Sequence, residues 1–288
     1  MKTRRLGKTG LQISEIAFGA FALDKKTRED ADSIVGEVLE RGVNYFDLAP
    51  TYGNAQEVLG GVLPGRRDKF HLACKTVERD AENSRKEFEE SLRIMGTDYF
   101  DVYQLHAVCQ PDEVETVAAP GGALETLRWA KERGYARHVG FTTHSRAAAM
   151  KLLTLFPFET MMCAVNYHQW LVLGQGPDEI ALAKEHDIGV LGIKALAEQR
   201  WGEGMDRSEG YRTWYKPIYD NDEFARLALA FSLSKDIAAY LTPTSCRMAR
   251  KTLDLYEAGL PAMDDGAIEM LKGYAAKVKY TLYPRLTE

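Results

Sequence analysis

Positive charge is in slight deficit in this chain of 288 residues: 37 Lys and Arg stand against 42 Asp and Glu, a formal net charge of -5. Nucleic-acid binders usually carry a basic patch or stripe, so no polyanionic partner is expected. Cysteine is scarce as well. Cys74, Cys109, Cys163 and Cys246 lie far apart with no CxxC or Cys/His ligand spacing, so neither a disulfide framework nor a zinc site is expected, and a reducing, cytoplasmic setting fits. Long apolar runs are missing: nowhere do about 18 uncharged apolar residues follow one another. The apolar stretch that runs to Leu23 after MKTRRLGKTG is broken by Ser14 and Glu15 and meets no clean small-residue cleavage site, so neither a secretory signal nor a membrane span is expected there. A GxGxxG opening a helix after a strand is also missing, and with it the fingerprint of a Rossmann site. No internal repeat, low-complexity segment or linker divides the chain, which points to one domain over residues 1–288.

What is present is alternation. Between Thr27 and Arg41, Ala31, Ile34, Val35, Val38 and Leu39 recur at helical spacing, Thr27 with Asp30 resembles a capping box, and Gly42 supplies the stop. A second helix ends at Gly96 with Phe88, Leu92 and Met95 on one face, a third stops at Gly134, one starts at Ser145, one is opened by Pro177, and one runs from Asp222 to Ser234. Eight short β-rich runs sit between them: SEIAFG (14–19), VNYF (43–46), FHLAC (70–74), FDVYQL (100–105), ARHVGF (136–141), TMMCAV (160–165), DIGVLGI (187–193) and DIAAYL (236–241). Most are apolar on both faces, as parallel strands covered by helices are. Eight such units argue for an α/β fold, a (β/α)8 TIM barrel with an N-terminal β-hairpin; a doubly wound open sheet is the alternative. Two long connections, 107–121 and 196–220, read as functional loops.

A barrel of this kind keeps its chemistry at the C-terminal ends of its strands. The polar residues there are Asp47 after the second strand, Lys75 after the third and His106 after the fourth, with Tyr52 on the loop just past Asp47. Alternation puts Lys75, Ala73 and His71 on one face and Leu72 and Cys74 on the other. An ammonium beside a phenol favours the phenolate and lowers a pKa ordinarily near ~10, Asp47 would balance the buried charge of Lys75, and a neutral His106 would orient a carbonyl oxygen. Each residue alone has an ordinary structural role; together, on three neighbouring strand ends, they read as a site that protonates an oxygen.

The chain resembles the aldo-keto reductase family over about residues 1–255, in MKTRRLGKTGLQISEIAFGAF, NYFDLAPTYGNAQEVLG, HLACKT, SLRIMGTDYFDVYQLH and RHVGFTTHS. That resemblance implies a tetrad of Asp47, Tyr52, Lys75 and His106, with Tyr52 as general acid in reduction and a nicotinamide cofactor as hydride donor, NADP(H) preferred and NAD(H) second. Thr142 and Thr143 stand where the family often has Ser-Asn to hold the carboxamide. Asn166 is the amide nearest the family's glutamine position, itself Ala164, and Lys194 ends the seventh strand where an aromatic often stacks on the nicotinamide. TPTSCRMARKTL (242–253) resembles the segment that grips the adenosine phosphate: Ser245 caps a helix, and Arg247, Arg250 and Lys251 share one face by i, i+3 and i+4 spacing. Trp201, Tyr211, Trp214 and Tyr215 fall on the family's substrate loop, with Phe21 and Trp170 as further candidates for the same wall. His138, His144, His168 and His186 read as structural or exposed, and residues 256–288 have no assigned role. A small carbonyl compound is the expected substrate. The alternatives are a cofactor-binding regulatory subunit of the same fold with slight turnover, and a barrel isomerase that binds no cofactor.

Overall fold

The structure, a computed structural model, describes residues 1–205 and 213–283. Eight parallel strands close into a barrel, numbered here β1 Ile16–Gly19, β2 Tyr45–Asp47, β3 His71–Thr76, β4 Phe100–Leu105, β5 Ala136–Thr142, β6 Thr160–Ala164, β7 Gly189–Ile193 and β8 Ala239–Leu241. β8 pairs with β1, Tyr240 opposite Ile16, and that pairing closes the ring. The expected (β/α)8 barrel is what forms, and the open sheet is excluded by that closure.

Strand alternation divides the apolar residues into two cores. Ala17, Tyr45, Ala73, Val102, Leu191 and Ala239 fill the barrel interior, while Phe18, Phe46, Leu72, Cys74 and Tyr103 face the helices. The N-terminal hairpin, Thr3–Arg5 paired antiparallel with Gln12–Ser14, delivers Leu6 and Ile13 into the interior core and stops the barrel at its N-terminal end. That core leaves the polar strand ends at the opposite rim.

Helix boundaries follow capping chemistry. Thr27 accepts the Asp30 amide at the start of Arg28–Glu40, and Asp80 accepts that of Asn83 before Ala81–Met95, which stops at Gly96 in the left-handed region, φ 61°. Both long connections carry structure that apolar periodicity does not reveal. Within 107–121 lies a helix, Pro111–Ala118, because Pro111 is preset for the first helical position and Glu113 folds back to accept the Cys109 and Gln110 amides at 2.8 and 2.9 Å. Within 196–220, Ala197–Arg200 pairs antiparallel with Tyr215–Pro217, which carries Trp214 over the barrel mouth; Tyr211 lies outside the described residues. After the helix Asp265–Ala275, anchored by Tyr274 stacked on Phe224 at 3.9 Å, the tail returns across the same rim. Its Tyr280 carbonyl accepts the Arg200 amide at 3.0 Å, and its Lys279 amide donates to Gln199 Oε1 at 3.0 Å. Among the described residues no helix is long and apolar enough to cross a membrane.

Candidate active site

Asp47 is the last residue of β2 and Lys75 the fifth of β3, and the register sets Asp47 opposite Ala73, so both side chains point into the barrel one level apart. Lys75 Nζ lies 2.6 and 2.5 Å from the two Asp47 carboxylate oxygens and donates to the Leu48 carbonyl at 2.8 Å. Lys75 and Asp47 are 1% and 2% exposed, a fully interior ion pair with all three ammonium hydrogens committed. Tyr52 stands on the following loop, whose path is set by Gly53. At φ 59° this glycine adopts a left-handed turn, and a Cβ there would fall 2.0 Å from the Asp24 carboxylate. The Tyr52 ring packs edge-on against Phe21 at 5.4 Å and His106 at 5.8 Å, with Trp214 at 6.2 Å and the Lys75 ammonium 5.2 Å from its centroid.

His106 follows β4, its amide bonded to the Thr76 carbonyl at 2.8 Å. Thr142, ending β5, accepts the Ala107 amide on its hydroxyl at 2.7 Å and so steadies the histidine's loop. Asp47, Tyr52, Lys75 and His106 all line one cavity at the C-terminal rim, together with Phe21, Thr142, Lys194, Trp214 and Tyr215. The cavity runs on past Thr242 to Thr244, at the foot of the helix Cys246–Glu257.

Electrostatics differ from the expectation in one respect. Burial, with the negative charge of Asp47 added, pushes the Tyr52 phenol well above its ordinary value. Burial and the Asp47 carboxylate outweigh any lowering by the Lys75 ammonium, which that carboxylate holds at contact distance. Tyr52 is therefore a protonated phenol. Burial, aided by Lys75, pushes His106 down to about 3, and burial with Lys194 does the same to His144. Both rings are neutral at pH 7.

This neutrality has a measurable consequence for stability. An unfolded histidine titrates near ~6.5, so below that pH the unfolded chain binds protons that the folded one refuses. The contribution is fully present above pH ~6.5 and is lost as pH falls towards about 3. Each histidine is expected to cost on the order of 1–2 kcal/mol at pH 5, after discounting for partial exposure. Urea midpoints at pH 7.5 and 5 should fall further apart in the wild type than in a His106→Gln/His144→Gln variant; equal gaps would show that neither ring is held neutral.

The remaining expected residues divide. Phe21, Thr142, Lys194 and Trp214 line the cavity. Asn166 does not: its Nδ2 donates to the Lys194 and Ala197 carbonyls at 2.9 Å each and its Oδ1 accepts the His168 and Gln169 amides, so all four bonding positions serve the backbone. Thr143 turns inward, its hydroxyl accepting the Ser145 amide at 3.0 Å. Ser245 caps its helix by accepting the Met248 amide at 3.2 Å. Arg247 and Lys251 meet at Tyr219, Arg247 donating to its hydroxyl at 2.7 Å and Lys251 pairing with Asp222. Arg250 turns the other way to Glu37, 2.8 Å from Nε, so the three cations do not share a face. Trp170 lies under the Gly176 turn, edge-on to Phe231, and Trp201 is buried with Nε1 on the Thr213 carbonyl at 2.9 Å; neither reaches the cavity. His144, expected to be structural or exposed, instead lines the cavity and is stacked by Tyr283 of the tail at 4.2 Å and 13°. No local pattern announces that contact, since the two residues meet only through the path of the tail.

Comparison with known proteins agrees with the architecture. The family model described as "Aldo/keto reductase family" matches residues 15–240. An uncharacterised oxidoreductase of Bacillus subtilis, YrpG, is 31% identical over 307 residues, covering 90% of this chain and 92% of that protein. An aldo-keto reductase from Bacillus halodurans, in its holo form, superposes with a TM-score of 0.73 at 24% identity over the whole of both chains. An aldo/keto reductase from Klebsiella pneumoniae solved with NADP and acetate superposes at 0.69 with 19% identity, over 97% of each chain.

Proposed function

This chain belongs to the aldo/keto reductase family, whose members are oxidoreductases of carbonyl compounds, and we propose that it reduces an aldehyde or ketone to the alcohol with NADP(H), Tyr52 supplying the proton. The observation that carries this reading is the convergence of Asp47, Tyr52, Lys75 and His106 on one cavity at three neighbouring strand ends.

The residues fit an elongated anionic cofactor. The cavity extends from Tyr52 to Thr244, and beyond it stands a helix N-terminus with no acidic residue in its first turn. His106 Nδ1 and His144 Nδ1 are buried without a hydrogen-bond partner among the described residues, as groups awaiting a ligand are. Thr142 and Lys194 would border the nicotinamide end, while Ser245 and Arg247 would meet the phosphate end. Arg250 and Lys251, held by Glu37 and Asp222, contribute less. The Klebsiella relative's NADP complex favours the phosphorylated cofactor over NAD(H).

When bound, the reduced nicotinamide supplies hydride to the carbonyl carbon. His106, neutral and held by the Thr76 and Thr142 contacts, donates a hydrogen bond that orients the carbonyl oxygen. Tyr52 keeps its proton until negative charge grows on that oxygen, then transfers it from Oη, so that the C=O becomes CH–OH. The nearby Lys75–Asp47 pair fixes the geometry around the phenol.

Mixing the protein with NADPH or NADH and a panel of aldehydes and ketones, and following cofactor absorbance, tests the reading. Turnover of at least one carbonyl, faster with NADPH, is expected. Cofactor binding with no turnover of any carbonyl would leave a binding module, and no cofactor binding would leave a barrel of unrelated chemistry.

A further inference from the structure

Among the described residues lining the cavity, the charged side chains are Asp47, Lys75 and Lys194. The first two neutralise each other at contact distance. Lys194 has no such partner: its ammonium makes no ion pair or hydrogen bond among the described residues and lies only over the rings of Tyr215, at 4.5 Å, and Trp214, at 5.2 Å. Ring faces compensate a cation only in part, and burial lowers this amine to about 8, the mark of an ammonium short of counter-charge.

The backbone holds that amine in place. Lys194 has φ 71°, in the left-handed region that a lysine seldom adopts. Its carbonyl is clamped there by the Asn166 side chain and the Ala197 amide, at 2.9 Å each. A left-handed lysine held by a buried asparagine marks a position whose direction matters. An adjoining recess shares His144 and Lys194 with the cavity, adds Arg200 and the tail's Tyr283, and carries no acidic lining residue among those described. Trp214 bridges the two ends of the site, 6.2 Å from the Tyr52 ring and 5.2 Å from the Lys194 ammonium.

We propose that Lys194 is a specificity-determining residue that binds the carboxylate of a short aldehyde- or keto-acid, whose carbonyl then lies against Tyr52 and His106. This rests on the reductase reading above and extends it to a substrate class. A carboxylate supplies a counter-charge that no described residue provides, through charge-assisted hydrogen bonds in a pocket walled by aromatic rings where such bonds are strong. The cofactor's phosphates are the other anions that could reach the ammonium, and the test separates the two.

The experiment compares kcat/KM for 4-oxobutanoate and for butanal at saturating NADPH, in wild type, Lys194→Met and Lys194→Arg, with NADPH affinity measured by fluorescence. The wild type is expected to favour the acid by about tenfold or more. The Met variant should bring that ratio to about one, and the Arg variant should restore it. Butanoate, which has no carbonyl to reduce, should compete with the aldehyde in wild type and not in Lys194→Met. An unchanged ratio in the Met variant overturns the proposal, and an unchanged ratio with weakened NADPH binding assigns the ammonium to the cofactor instead. If wild type turns over neither compound nor any other carbonyl while binding NADPH, the reductase reading itself falls, and this inference with it.

Discussion

Tyr52→Phe is expected to lower turnover of every carbonyl substrate by roughly 10²–10⁴-fold, the usual contribution of a positioned proton donor, while NADPH affinity changes little. The substitution removes one oxygen and leaves the ring. Its contacts with Phe21, His106 and Trp214 are ring contacts and survive it, so the fold and the cavity should persist. The hydroxyl is the one group on the tyrosine side chain that can give up a proton. Steady-state kinetics with a fluorescence titration of cofactor decide the matter. A variant as fast as wild type would remove Tyr52 from the mechanism and pass the proton-donor role to another group in the cavity.

Lys75→Met is expected to unfold more easily than wild type by about 3–5 kcal/mol, or roughly 10 °C in Tm, and to be close to inactive. The reason is asymmetry. The pair is wholly interior, so removing the ammonium leaves the Asp47 carboxylate without counter-charge and the Leu48 carbonyl without its donor. Asp47→Asn/Lys75→Met removes both charges and should recover a good part of the stability but none of the activity. Urea denaturation of wild type, single and double variants measures it. Equal stability of wild type and Lys75→Met would show that Asp47 is not ionised in the folded chain, and the description of the pair as a salt bridge would have to be given up.

These two residues show how much of the site is legible in one dimension. Asp47 and Lys75 sit on runs whose inward and outward faces follow from alternation, and neighbouring strands in a barrel are neighbours in the sequence, so their convergence is a local matter repeated. Tyr52 is tied to Asp47 by a loop of a few residues, and His106 is tied to β4 in the same way. The strand β4 lies at its expected bounds, and β2 differs only in beginning two residues later and including Asp47. The helix Pro111–Ala118 was hidden because short helices of this kind rest on capping more than on apolar periodicity.

Composition and motif could not say which residues of the long connections face inward. Trp201 and Trp214 have the same aromatic character, yet one packs into the core and the other covers the mouth, because the pairing of Ala197–Arg200 with Tyr215–Pro217 decides which ring stands where. Arg250 shares helical spacing with Arg247 and Lys251, but Glu37 on a distant helix draws it away.

By itself, then, the sequence determined the eight alternating units, the chain's membership in a reductase family, and the four residues at neighbouring strand ends, since each depends on contacts between segments close in order. Only the tertiary structure decided that Asn166 clamps Lys194, that Lys194 has no acidic partner among the described residues, that burial and Asp47 together raise the Tyr52 phenol, and that Tyr283 returns to cover His144. Those outcomes depend on charge balance, burial and chain path across long separations, and none of these has a signature in residue order.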